Sequence, residues 1–190
     1  VQDRFAEGLL QTLIDIGPQA LSDPENYSVR ADLMWVATLA LNGLIGAGVP
    51  QDWATHMLGH ELTALHGLDH AQTLAIVLPA MLTERKDAKH GKLVQYAQRV
   101  WSIHEGSESE QAEAAIEKTR AFFESLGVKT RLGDYQLAEE HIEPLIKSLE
   151  EHGMTALCED TSVPPRPRRH APPPHLLHTH TSPSTPPPLS

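Results

Sequence analysis

From Val1 to about Asp160 apolar residues recur every three or four positions, and nowhere do they alternate with polar ones for more than a few residues. A period near 3.6 buries one stripe of a helix, whereas a half-buried strand needs period two. The pattern therefore predicts an all-α fold, a helical bundle. Phe5, Leu9, Leu13 and Ile16 mark a first helix expected to stop at Gly17-Pro18. Leu33, Met34, Ala37, Leu41 and Leu44 mark a second, closing near Gly46 and Gly48. A third is expected from about Asp52 to Leu65 and a fourth from about Asp69 to Leu82, with Gly67 breaking the chain between them. Leu93, Tyr96, Ala97, Val100 and Trp101 mark the fifth. Ser107 with Glu110 forms a capping box at the head of the sixth, which ends at Gly127. The last places Pro144 in its first turn, buries Leu145, Ile146 and Leu149, and ends at Gly153.

The composition changes abruptly at Ser162. Residues 162–190 hold ten of the fifteen prolines and four of the twelve histidines, with no acidic residue and no glycine. A segment this poor in apolar residues cannot offset its chain entropy, so a disordered, Pro-rich tail is expected, of out-of-frame origin or otherwise. His175, His178 and His180 offer at most weak transition-metal binding. The domain proper is thus 1–161, expected to be truncated on its N-terminal side because Val1 reads as the middle of a helix. A net charge of −10 argues against a nucleic-acid partner. No run of about 18 apolar residues is present to make a membrane span. The single cysteine, Cys158, cannot form an intrachain disulfide, which points to a reducing, cytoplasmic setting.

The chemistry concentrates in one window, with histidines at positions 56, 60, 66 and 70. His56 and His60 are four apart and share a helix face. Gly67 lets the chain turn back, so that His70 can approach His56 from the start of the next helix. Imidazoles converging from two elements suit a divalent metal better than one straight helix does. Two histidines do not complete a site, and residues 1–161 offer no obvious supplier of the rest. Asp52 and Asp69 read as helix caps rather than ligands. A lone helical histidine is usually a satisfied polar residue, but four in fifteen positions beside Glu61 and Asp69 favour metal. The zinc-protease pattern fails because Ala64 stands where its second histidine belongs.

The run Asn42-Gly43-Leu44-Ile45-Gly46-Ala47-Gly48, then His56-Met57-Leu58-Gly59-His60-Glu61-Leu62 and Gly67-Leu68-Asp69-His70-Ala71, resembles the iron-containing alcohol dehydrogenases. Their signature of three histidines, separated by three and then nine residues, falls on His56, His60 and His70, and the apolar helix Leu74–Pro79 follows. The wording is most similar to the NADPH-dependent aldehyde reductase or butanol dehydrogenase branch, and the likeness runs from Val1 to about Asp160. The resemblance implies a C-terminal helical domain that pairs with an N-terminal α/β nucleotide-binding domain, with catalysis in the cleft between them. It implies iron or zinc held by four protein ligands, of which His56 and His70 match two. The others, an aspartate and a histidine four residues later, belong to a helix with no counterpart here, and the glycine-rich cofactor loop has none either. His60 matches a catalytic residue beside substrate and nicotinamide, a proton-relay member. The implied reaction is reversible NADP(H)-linked reduction of aldehydes to alcohols, with a small alcohol or aldehyde as partner and a homodimer left open. For this chain the resemblance implies weak or no turnover and exposed apolar surface. Two competing readings stand beside it: an inactive metal-binding or interaction fragment, and a helical metal hydrolase built on Asp52, His56, His60 and Glu61.

Overall fold

A computed structural model of the chain describes residues 1–154 and 157. The tail at 162–190 with its histidines, and Cys158, lie outside the described residues. Among the described residues seven α-helices follow one another: α1 (Gln2–Ser22), α2 (Tyr27–Leu41), α3 (Ala54–His66), α4 (His70–Glu84), α5 (His90–Arg99), α6 (Glu108–Ser125) and α7 (Ile142–Glu151). Two 3-10 turns, Leu132–Tyr135 and Glu139–His141, precede the last. No strand occurs among the described residues, as the periodicity requires. No helix among them is long and apolar enough to cross a membrane.

Helix α4 is the hub. It carries Ala75, Ile76, Val77 and Pro79 into the interior and packs against both α3 and α6. Helices α5 and α6 pair most extensively, because Ala97, Ala112 and Ala115 are fully buried and let the two backbones approach. Leu93, Val94, Ala112 and Ile116 form the core cluster between them, with Leu82 of α4 against it. The capping box heads α6 as expected: the Ser107 amide donates to Glu110 Oε2 at 2.8 Å, and the Glu110 amide to Ser107 Oγ at 3.4 Å.

Three boundaries or faces depart from the periodicity. Helix α1 runs through Gly17-Pro18 to Ser22 rather than stopping there. A proline removes one amide near a helix end, and packing outweighs that loss: Ile16 is buried, and Gly17 lies against Phe122 of α6 and its C-cap Leu126. Helix α2 ends at Leu41, a turn earlier than expected, because Asn42 Oδ1 accepts from the Leu44 amide and Gly43 takes φ +89°. On α7 only Leu149 is fully buried, while Ile146 remains half exposed. Exposed apolar surface collects on α2, where Tyr27, Met34, Trp35 and Leu41 all face outward.

Glycines on two helices differ in what a side chain would meet. A Cβ at Gly59 of α3 would lie 3.0 Å from Thr73 Oγ1, 3.2 Å from Leu74 Cδ2 and 3.5 Å from His70 Cε1. Thr73 is fully buried and cannot yield. At Gly8 of α1 nothing lies within 4 Å. Alanine in a helix interior is ordinarily worth up to about 1 kcal/mol over glycine, so Gly8→Ala is expected to stabilise by roughly that amount. Gly59→Ala should instead lose about 1–2 kcal/mol, as overpacking overtakes propensity. Urea denaturation of both variants decides; a Gly59→Ala gain equal to that of Gly8→Ala would show that α3 and α4 are not in close contact.

Candidate metal centre

The sequence Leu65-His66-Gly67-Leu68-Asp69-His70 makes the turn on which the site depends. Gly67 caps α3 in the left-handed conformation, φ +68°, and its amide donates to Thr63 O at 2.9 Å. The Asp69 amide then donates to Gln72 Oε1 at 3.1 Å, which starts α4 at His70. The two helices fold back on each other, and Gly59 lets them pack closely enough for their histidines to meet.

His56 Nδ1 and His70 Nε2 lie 3.2 Å apart. His60 overlaps His70, with ring centroids 4.6 Å apart and planes inclined by 31°. One ligand-capable nitrogen from each of the three rings lies within 4.8 Å of the others, among the described residues the one group of this kind. The half-exposed Trp53 ring lies 5.2 Å from that of His56, their planes inclined by 55°. Thr73 Oγ1 donates to His70 O at 2.8 Å and faces His70 Nδ1 at 3.5 Å. A metal on His70 Nε2 requires the tautomer protonated at Nδ1, and the Thr73 oxygen, its own hydrogen committed to the carbonyl, is free to accept on that side. Burial, then the nearby His70 and His60 rings, holds His56 below its ordinary value of 6.5. Burial, then His60, does the same for His70. Both therefore favour the neutral form that a metal requires, and the donor set of three convergent imidazoles fits a divalent transition metal.

The family model described as the C-terminal part of the Fe-containing alcohol dehydrogenases matches residues 1–163. The chain belongs to the iron-containing alcohol dehydrogenase family. Within that family it is 68% identical over 163 residues to the NADPH-dependent aldehyde reductase YqhD of Escherichia coli, a match covering 86% of this chain and 42% of that protein. A solved substrate- and cofactor-free form of the same reductase superposes with a TM-score of 0.81 at 69% identity, covering 83% of this chain and 41% of the other. An NADH-dependent butanol dehydrogenase A from Thermotoga maritima gives 0.77 at 27% identity, covering 80% and 38%. This alcohol dehydrogenase family member thus spans less than half the length of the relatives it matches.

The remaining candidates of this family member are placed elsewhere. His66 turns away from the cluster and meets His141 edge-on at 5.2 Å. Asp69 lies at the head of α4 and contributes no atom to the cluster. Asp52 Oδ1 accepts from the Ala54 amide at 2.9 Å, and Oδ2 pairs with Lys89 Nζ at 2.7 Å. Glu61 is buried and hydrogen-bonded to Ser148 and His152 of α7 and its cap. A hydrolase needing Asp52 and Glu61 beside the histidines therefore lacks its carboxylates. Thr73 and Trp53 escaped the sequence reading. The i, i+3 spacing of His70 and Thr73 on one helix was the available signal for the first.

Asp52 also gives a pH prediction. Partial burial pushes its carboxyl up, but hydrogen bonds from Lys89 and the Ala54 amide outweigh this and hold it below the ordinary 3.8. The depressed value means that its stabilisation is present above about pH 4 and is lost as pH falls through the lower native value. Asp52 precedes the cap residue Trp53, and Asp52→Ala should cost about 1 kcal/mol near neutrality, because the Ala54 amide loses its acceptor and Lys89 its partner. That gap from the unaltered chain should narrow in acid; denaturant curves at pH 7 and pH 3 read both, and an unchanging gap would contradict the assigned pairing.

Proposed function

We propose that this chain is the metal-holding part of an oxidoreductase that interconverts aldehydes and alcohols with NAD(P)H. The observation that carries the reading is the convergence of His56, His60 and His70 at the junction of α3 and α4. His56 and His70 are assigned as holders of iron or zinc, since each is partly buried and neutral near pH 7. Bound there, a divalent cation supplies Lewis acidity toward a carbonyl oxygen. Thr73 orients the His70 ring so that its Nε2 lone pair is available. His60 is the exposed member of the three and is assigned to carry a proton between the cluster and solvent.

The names of the relatives support both the substrate class and the nicotinamide, one being NADPH-dependent and another NADH-dependent. The described residues contain no strand, and hence no strand–glycine loop–helix unit for a dinucleotide. In this reading the nucleotide is held by a part corresponding to the rest of the relatives' length. The test combines this chain with the remaining N-terminal portion of the E. coli reductase, zinc or iron, NADPH and butanal. NADPH oxidation is expected from the mixture and not from this chain alone; folded, metal-loaded components that oxidise no NADPH together would sink the reading.

A further inference from the structure

Glu61 immediately follows His60, yet it points to the other end of the chain. It is 4% exposed, accepts from Ser148 Oγ at 2.5 Å, and meets His152 Nδ1 at 2.8 Å across 91 residues. Burying a carboxylate is costly unless its oxygens are hydrogen-bonded, and an apolar residue of similar size would pack there without that cost. Charge-assisted bonds of this length constrain direction as well as distance.

The position on α3 gives that constraint its meaning. Successive helix residues are separated by 100°, so Gly59 and Glu61 flank His60 on its two sides. Gly59 abuts Thr73 and Leu74 of α4, while Glu61 is tied to α7. Helix α3 is thereby gripped on both flanks of the face that presents His56 and His60. A rotation of about 20° would move a ring lying 5–6 Å from the helix axis by roughly 2 Å, far beyond what a metal site tolerates.

We propose that Glu61, with Ser148 and His152, is a positioning device that sets the rotation of α3 and so brings His56 and His60 to His70. Its consequence for cation affinity rests on the metal reading above; its consequence for the three rings does not. The test uses Ser148→Ala, His152→Ala and the double variant, none of which touches the cluster, with Ser148→Thr to restore the hydroxyl. Cobalt(II) is titrated into each chain by absorbance, and the ring 15N signals of His56, His60 and His70 are recorded without metal. The double variant is expected to bind cobalt about 10-fold more weakly, the usual scale for outer-shell losses, with the ring signals displaced and Ser148→Thr close to the unaltered chain. His152 is 57% exposed, so the single His152→Ala chain should stay folded and gives the same reading if the double variant does not. Unchanged ring signals and cobalt affinity, with only a lower melting temperature, would overturn the device. Displaced ring signals in a chain that binds no cobalt would uphold it and remove the metal reading instead.

Discussion

Replacing His56 and His70 together with alanine is expected to lower zinc affinity by about four orders of magnitude while leaving the helices intact. Structural zinc sites with four ligands are worth about 10–16 kcal/mol, or roughly 3 kcal/mol per ligand. Removing two therefore costs about 6 kcal/mol, which is about 10⁴-fold. The fold should not follow. Both rings are only partly buried, their close approach disfavours protonation of either, and alanine has the higher helix propensity. Competition titration with a chromophoric chelator measures the affinity, and circular dichroism checks the helices. His66→Ala is the control, since that ring faces His141. His60→Ala separates two roles: a proton carrier leaves zinc affinity within about tenfold, as an outer-shell change does, whereas a loss equal to that of His56→Ala would make His60 a ligand.

The meeting of His56 and His70 was legible because every part of it is local. A four-residue spacing fixes two rings on one face, a glycine ends the helix in a left-handed conformation, and the next helix starts three residues on. The Ser107–Glu110 box is legible for the same reason. Contacts closed across long stretches of chain were not. The Glu61–His152 pair spans 91 residues, and Asp3 and Glu7 of α1 hold Gln95 of α5 at 2.9 and 2.6 Å across 92 and 88. Neither pairing has a periodic signature, so the buried Glu7 and Glu61 look in sequence like ordinary surface acids. The overrun of α1 past Pro18 and the exposure of Ile146 have the same origin, since each depends on what another helix covers. Propensity and period describe one helix, and burial is a property of pairs.

Ile116→Ala should separate stability from the metal centre in the opposite sense. Ile116 is 3% exposed on α6 and packs with Leu93, Val94 and Ala112. Truncating a buried isoleucine removes its transfer free energy and leaves a cavity, together about 2–5 kcal/mol. The upper half of that range is expected here, because the fully buried Ala112 and Ala115 beside it are too small to close the gap. Leu93→Ala should cost less. Leu93 lines a groove of about 300 Å³ between α1, α4 and α5, so its removal widens a space that already exists. Total stability of a domain is about 5–15 kcal/mol, so the Ile116 variant forfeits a large fraction of it. Its histidines are untouched, and α4 still carries His70 against α3 in every molecule that remains folded. The folded fraction should therefore bind zinc with unaltered affinity, and saturating zinc should recover part of the lost stability by mass action. Urea denaturation with and without zinc reads both effects. If zinc restores nothing to Ile116→Ala while the unaltered chain binds it, the histidine cluster and the α5–α6 core do not belong to one cooperative unit.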